Sequence, residues 1–244
     1  MSKEIEAVIL AGGRGERMGD ITRDRQKCLL PVEGKPILGH ILDNIQDAFG
    51  SAHLVIATGH RGETIKEAFG ERYRNIQIEY VHDPAHLETR KRLQLAENTI
   101  RGPFLYLAGD VIADANQLTR IAETYEKEKS GDFQGVISAA TDHQPALSHA
   151  IISAQNGHAI EMIYPATPTW SEGQVREMGI AYYANNFFYR LRQARPEQTY
   201  LSHVITEAIG QGVDFAVEKY FDRWYHFGTP KDLQAKIQYN RGIK

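Results

Sequence analysis

The chain has 244 residues, of which 42% are hydrophobic and 24% charged, and its formal net charge is -3. That length suffices to bury one substantial core, and that balance excludes the strongly basic surface expected of a nucleic-acid or anionic-membrane binder. A single cysteine, Cys28, excludes an intramolecular disulfide and a zinc site of paired cysteines, and predicts a reducing, cytoplasmic setting.

The opening MSKEIEAVILAGG lacks the apolar length and cleavage site of a secretory leader, and no later apolar stretch is long enough to span a bilayer. A first strand is predicted at 7–11. A helix follows over 36–49, where Ile37, Leu38, Ile41, Leu42 and Ile45 keep the three-and-four spacing of one buried face. Then come a strand at 52–58, a helix at 62–70, a strand at 76–81, a helical stretch near 89–97, a strand at 103–109 and a helix over 116–129. Strand and helix in regular alternation predict an α/β fold with a parallel sheet covered by helices on both faces. Beyond residue 133 the pattern shifts to shorter strands (QGVISAA, HAIISA, HAIEMIY, GIAYYANNFF) and closes with helices at 201–210 and 230–241. No internal repeat, low-complexity tract or proline-rich linker divides the chain. The expectation is one domain over 1–244, in which the half at 133–244 caps the half at 1–132 and completes one pocket.

Parallel sheets bind ligands at the carboxyl ends of their strands, and two candidate sites fall there. Gly12, Gly13 and Gly15 follow the first strand and let backbone amides approach phosphate oxygens with no Cβ in the way. A glycine turn alone is a weak signal, and this one is neither the dinucleotide G-x-G-x-x-G, whose third glycine is missing, nor a P-loop, since no Gly-Lys-Ser/Thr follows. Arg14, Arg17 and Lys27 strengthen it by supplying cations for a triphosphate. The second site is Gly109-Asp110, where a turn or helix-capping aspartate competes with a metal-binding one. Asp114 reads as a turn or cap residue.

The stretch LAGGRGERMGDITRDRQKCLLPVEGKPILGHILDNI resembles the signature of the sugar-1-phosphate nucleotidyltransferases, the nucleotide-sugar pyrophosphorylases. The gap from Arg17 to Lys27, with Thr22 between, favours that group over the molybdenum-cofactor guanylyltransferases and the methylerythritol-phosphate cytidylyltransferases, whose lysine comes sooner. The resemblance implies a Rossmann-like three-layer αβα fold with a mainly parallel central sheet and a small acceptor-binding subregion. It implies an NTP and a phosphorylated acceptor as substrates, Mg²⁺ or Mn²⁺ as cofactor, no nucleic acid or membrane partner, and homo-oligomers as the family's habit. By the same resemblance Leu10, Ala11, Gly12, Gly13, Arg14 and Gly15 hold base and phosphates, with Thr89 and Gly109 beside them. Arg17 stabilises the leaving pyrophosphate, Lys27 the phosphoryl group under attack, and Asp110 the metal, while Gly179 lines the acceptor site. Attack of a phosphate oxygen on an α-phosphorus needs alignment and positive charge rather than a protein nucleophile.

The sequence also departs from that pattern. Gln26 replaces a proline, which is expected to be tolerated because no chemical group is lost. WYHFGTP (224–230) carries His226 where the family has a second metal-binding aspartate, so the metal expectation is Asp110 with His226, or with Asp222 reaching in from upstream. Imidazole suits Mn²⁺ better than Mg²⁺. LETRKRL (87–93) puts Glu88, Arg90, Lys91 and Arg92 where small residues normally admit the nucleotide. These form either a solvated face or a remodelled contact in which one cation meets phosphate. Ile163-Tyr164-Pro165 lacks the lysine that usually holds the sugar phosphate. The leading expectation is therefore an active nucleotidyltransferase, and the alternative is a nucleotide-binding regulatory or weakly active homologue that has lost part of the metal site. A glycosyltransferase ranks last, since Asp110 is followed by Val111 and Ile112 and no Asp-x-Asp is formed. AGG in place of AAG weakly disfavours uridylyl transfer. No β-helix repeat follows, so no fused acyltransferase is expected.

Overall fold

The structure, a computed structural model, describes residues 4–83, 85, 87–141, 149–164, 171, 173–222 and 224–234. In chain order its elements are β1 (Ile5–Ala11), β2 (Pro31–Val32), β3 (Lys35–Pro36), α1 (Ile37–Phe49), β4 (Ala52–Thr58), α2 (Gly62–Phe69), β5 (Arg72–Tyr73), β6 (Ile76–His82), α3 (Thr89–Gln94), β7 (Phe104–Ala108), β8 (Val111–Ile112) and α4 (Ala115–Glu128). The second half holds β9 (Phe133–Ala140), β10 (Ile151–Gln155), β11 (His158–Ile163), β12 (Gln174–Tyr183), α5 (Phe187–Gln193), α6 (Leu201–Gly210), β13 (Asp214–Tyr220) and β14 (Tyr225–His226). The predicted helix at 230–241 is helical from 230 to 234, and its remainder lies outside the described residues.

Ten strands form one sheet in the order β10-β11-β13-β9-β12-β7-β1-β4-β6-β5. The strands β7, β1, β4 and β6 run parallel, as the alternating pattern predicts. The sheet as a whole is not mainly parallel. β12 runs antiparallel to both β7 and β9, β10 and β11 form an antiparallel hairpin, and of the second-half ladders only β9–β13 is parallel. The strand β10 also pairs with β12, so β10, β11, β13, β9 and β12 close into a ring.

The physical reason lies in the connections. Parallel neighbours require a crossover of a dozen or more residues, which α1 and α2 supply in the first half. In the second half Asn156 and Gly157 join β10 to β11 with φ of 52° and 85°, a two-residue turn that fixes an antiparallel pair.

Strand alternation sorts the core into two layers. Along β1, Ile5, Ala7, Ile9 and Ala11 face one cluster with α1, α2 and α4, while Val8 and Leu10 face another with α3, α5 and α6. The fully buried central strands therefore read as continuous apolar runs. The helix α1 buries its predicted stripe, Ile37, Leu38, Ile41, Leu42 and Ile45, and ends at Gly50, whose φ of 75° lets its N–H return to the Gln46 carbonyl at 2.8 Å. Truncating one of those leucines to alanine costs about 2–5 kcal/mol. The helix α3 stops after six residues rather than running to 97, because the chain continues in tight i to i+3 turns from Leu95. Among the described residues no helix is long and apolar enough to cross a membrane.

Candidate active site

The carboxyl ends of β1 and β7 lie side by side, and both candidate loops emerge there. Gly109 N–H donates to the Leu10 carbonyl at 3.0 Å, and a Cβ at Gly109 would stand 2.8 Å from that oxygen, so the close approach of the two loops requires glycine. After β1 the chain turns through Gly15 (φ 67°) into a short 3-10 segment, Glu16–Thr22, pinned by the Thr22 hydroxyl donating to the Gly15 carbonyl at 3.0 Å.

Gln26, the residue in place of proline, clamps the glycine loop from behind. Its buried Nε2 donates to the carbonyls of Ala11 (2.8 Å), Gly13 (2.9 Å) and His60 (3.2 Å). His60 N–H in turn donates to the Gly12 carbonyl at 3.2 Å. With three consecutive loop carbonyls bonded, the loop is shaped before any ligand arrives. A lone polar residue in a polar stretch carries no periodicity, so this role was invisible in the sequence.

The basic triplet divides into three fates. Arg92 faces the glycine loop, its Nε donating to the fully buried Asp83 at 3.1 Å, and a Cβ at Gly12 would sit 2.7 Å from that nitrogen. Arg90 turns the other way and donates to the Leu191 carbonyl of α5 at 2.8 Å. Lys91 is exposed. Thr89 accepts from the Leu201 N–H at 3.3 Å and links α3 to α6. A cavity of about 490 Å3 runs along Gly12, Gly13, Arg14, Gly15, Arg17, Lys27, Glu88 and Arg92. A smaller one of about 180 Å3 continues past Leu10, Ala11, Gln26, Thr89 and Arg92 to Gly109 and Asp110. The former is rimmed by the exposed side chains of Arg14 and Arg17.

Asp110 is the meeting point. Its carboxylate pairs with Lys27 Nζ, and His226 Nε2 approaches the same Oδ2 at 3.4 Å. The β14–β8 pairing sets His226 opposite Val111, Phe227 N–H holds the Asp110 carbonyl at 2.9 Å, and Gly228 leaves room for the imidazole, where a Cβ would stand 2.7 Å from the ring. His226 Nδ1 shares a 3.0 Å hydrogen bond with Nε2 of the buried His149. Burial alone would raise the Asp110 carboxyl, but Lys27 and His226 outweigh it and hold it well below the usual carboxylate range. Burial, with His226 and Arg176 nearby, pushes His149 down to about 3, so it is neutral.

The sequence paired Asp110 with His226, and the structure brings them together. Both ring nitrogens of His226, however, face protein partners, Asp110 and His149. Among the described residues no group of three or more His, Cys, Asp or Glu side chains is arranged to hold a metal ion. Asp222 is exposed and lines none of these cavities. Asp114 is a helix cap, accepting from Gln117 N–H at 2.9 Å and from the Tyr220 hydroxyl at 2.8 Å.

On the far side of Asp110 lies a third cavity, of about 190 Å3, lined by Arg17, Tyr106, Asp110, His149, Tyr164, Glu177, Gly179, Tyr183, Tyr200 and His226 among others. Gly179 (φ 76°) belongs to its wall, and its N–H donates to Glu177 Oε1. Burial raises the Glu177 carboxyl to about 7, the Gly179 N–H opposing and the Asp110 charge adding to the rise. Glu177 and His149 escaped the sequence reading. Glu177 lies on β12, which starts at Gln174, five residues before the predicted strand, and His149 acquires meaning only opposite residues far along the chain. Tyr164 lines this cavity, while Pro165 falls outside the described residues.

Known proteins resemble this chain in sequence and in fold. UTP–glucose-1-phosphate uridylyltransferase AglF of Haloferax volcanii is 35% identical over 112 residues, 46% of this chain and 46% of its own length. The CMP-5'-(3-aminopropyl)phosphonate synthase of Streptomyces rubellomurinus is 34% identical over 124 residues, 50% of this chain and 20% of its own. The chain thus spans less than half the length of these relatives in the matched region. A crystal structure of UDP-glucose pyrophosphorylase with UDP-glucose superposes with a TM-score of 0.84 at 13% identity, over 99% of this chain and 100% of that one, which establishes the fold. The family model for nucleotidyl transferases matches residues 6–240. The chain belongs to the nucleotidyl transferase family.

Proposed function

We propose that this protein transfers a nucleotidyl group from an NTP to a small phosphorylated acceptor, releasing pyrophosphate and forming an NDP-linked product; sugar 1-phosphates are the reference acceptors of the resembled group. The observation that carries the reading is the position of Asp110, paired with Lys27 and bordering both a glycine-loop cavity and a separate acceptor cavity. Residues 1–132 contribute the nucleotide side, and most of the acceptor wall comes from 133–244.

An acceptor phosphate oxygen attacks the α-phosphorus, and the bond to the β-phosphate oxygen breaks as pyrophosphate leaves. The attacking group is already anionic near neutral pH, so no general base is required. Lys27 offsets charge at the phosphoryl group under attack, and Arg17, which lines both the loop cavity and the acceptor cavity, meets the leaving pyrophosphate. The donor set fits a hard cation held by one carboxylate with phosphate oxygens completing the shell, not an all-protein cage. Asp110 would hold Mg²⁺ or Mn²⁺ in that way, and the ion would neutralise phosphate charge. His226 is then a positioning residue for Asp110. The lone cysteine, a buried free thiol, suits a reducing cytoplasmic setting.

Pyrophosphate release from a panel of NTPs with phosphorylated acceptors, in Mg²⁺ and in Mn²⁺, tests the reading; silence throughout overturns it. A second reading, nucleotide binding with little turnover, rests on the occupation of one Asp110 oxygen by both Lys27 and His226. A gain of activity in His226→Asp would favour it.

A further inference from the structure

The cavity beyond Asp110 has a charge pattern that selects among acceptors. Glu177 projects into it with about one fifth of its side chain exposed, yet among the described residues no lysine or arginine pairs with it. One carboxylate oxygen accepts from the Gly179 N–H, and the other stands 4.0 Å from His149 Nδ1, beyond hydrogen-bond reach. The neighbouring Arg176 leaves on the opposite face of β12, its guanidinium 4.7 Å above the Trp224 ring. Among the described lining residues Arg17 is the only lysine or arginine. A carboxylate so placed is costly unless a ligand brings the missing charge.

The walls around it are aromatic. Tyr106 and Tyr183 stand with ring centroids 5.9 Å apart, Tyr164 and Tyr200 with theirs 4.7 Å apart, and all four line the cavity. Tyrosine faces carry the negative end of the ring quadrupole and attract desolvated cations. Arg17 lines the same cavity and the Asp110–Lys27 pair borders it, so the space offers both a carboxylate and cations for phosphate.

We infer that the acceptor is an ammonium-bearing phosphate or phosphonate, its protonated or quaternary amine seated on Glu177 between the tyrosine rings and its phosphoryl oxygen directed at the nucleotide. This rests on the nucleotidyl-transfer reading of the same site. The step balances as before: an acceptor oxygen bonds to the α-phosphorus, the bond to the β-phosphate oxygen breaks, pyrophosphate departs with the electron pair, and the amine is unchanged.

Matched acceptor pairs that differ in the amine alone decide the matter: glucosamine 1-phosphate against glucose 1-phosphate, and phosphocholine against its uncharged carbon isostere, 3,3-dimethylbutyl phosphate. Wild-type protein is expected to favour the charged member of at least one pair by about tenfold or more in kcat/KM, and in Kd by calorimetry. Glu177→Gln, which keeps an oxygen for the Gly179 N–H, is expected to erase that preference, and its melting temperature reports whether it folds. Tyr164→Leu, which leaves Glu177 in place, is expected to reduce it. Equal or better use of the uncharged members, or a preference that survives Glu177→Gln, overturns the inference and leaves nucleotidyl transfer standing. Absence of pyrophosphate from every pair overturns the transfer reading itself, and the calorimetric comparison then still decides whether the cavity selects the ammonium group.

Discussion

The glycine loop and the acceptor cavity face each other across Asp110, and they are built in opposite ways. The loop is held at its main-chain carbonyls, which accept from the Gln26 and Thr22 side chains and the His60 N–H, and Gly15 supplies a left-handed turn. The acceptor cavity is held by side chains that converge from β7, β11, β12, α6 and the segments around His149 and His226. A site of the first kind is specified by a short stretch of sequence. A site of the second kind exists only once distant strands have paired.

The largest effect should come from the residue shared by both. Asp110→Asn keeps the shape but removes the charge that Lys27 and His226 surround, and should lower turnover by roughly a hundredfold to a thousandfold in a pyrophosphate-release assay. Activity within a few-fold of wild type would dissolve the comparison, because neither side would then depend on the common carboxylate. On the loop side, Gln26→Ala strands the buried Ala11 carbonyl and should cost about 2 kcal/mol of stability, seen by denaturant titration, with weaker NTP binding as its companion.

On the acceptor side the sign reverses, since Glu177 is buried at the expense of the fold. Its folded-state value of about 7 lies above that of an unfolded glutamate, so the native chain holds the extra proton and stability falls as pH rises from about 4.5 to about 7. Glu177→Gln should therefore raise the melting temperature at pH 8 and leave it nearly unchanged at pH 4, a contrast that scanning calorimetry resolves. The smallest effect belongs to Asp114→Ala, four residues beyond Asp110. Loss of this cap should cost about 1 kcal/mol and leave kcat/KM near wild type, separating a structural aspartate from a chemical one.

What could be read in advance follows the same division. The strand β1 and α1 were legible from local periodicity, whereas the glycine loop, Lys27 and the strand-end Asp110 stood out only through their resemblance to a family signature. The prediction of a mainly parallel sheet failed where helices cease to separate the strands, although Asn156-Gly157 is a hairpin signal that the sequence does contain. Gln26 was passed over because a proline and a carbonyl clamp look nothing alike in sequence yet both stiffen the same loop. Glu177 and His149 were passed over because a buried carboxylate and a neutral imidazole are defined by their neighbours. Arg92 was legible only as one of three equal cations, until the absence of a Cβ at Gly12 showed which of them lies against the loop.

The closure of β10 onto β12 also bears on how this molecule meets copies of itself. A ten-stranded open sheet would offer two rows of unpaired backbone groups, but here one end returns into the sheet and the other finishes at β5, a strand of two residues. Among the described residues, strand-by-strand extension has one template, the outer side of β6 beyond Gln77, where the β5 ladder stops. At the closed end of the described sheet, contact with a copy would rest on side-chain complementarity rather than on backbone pairing.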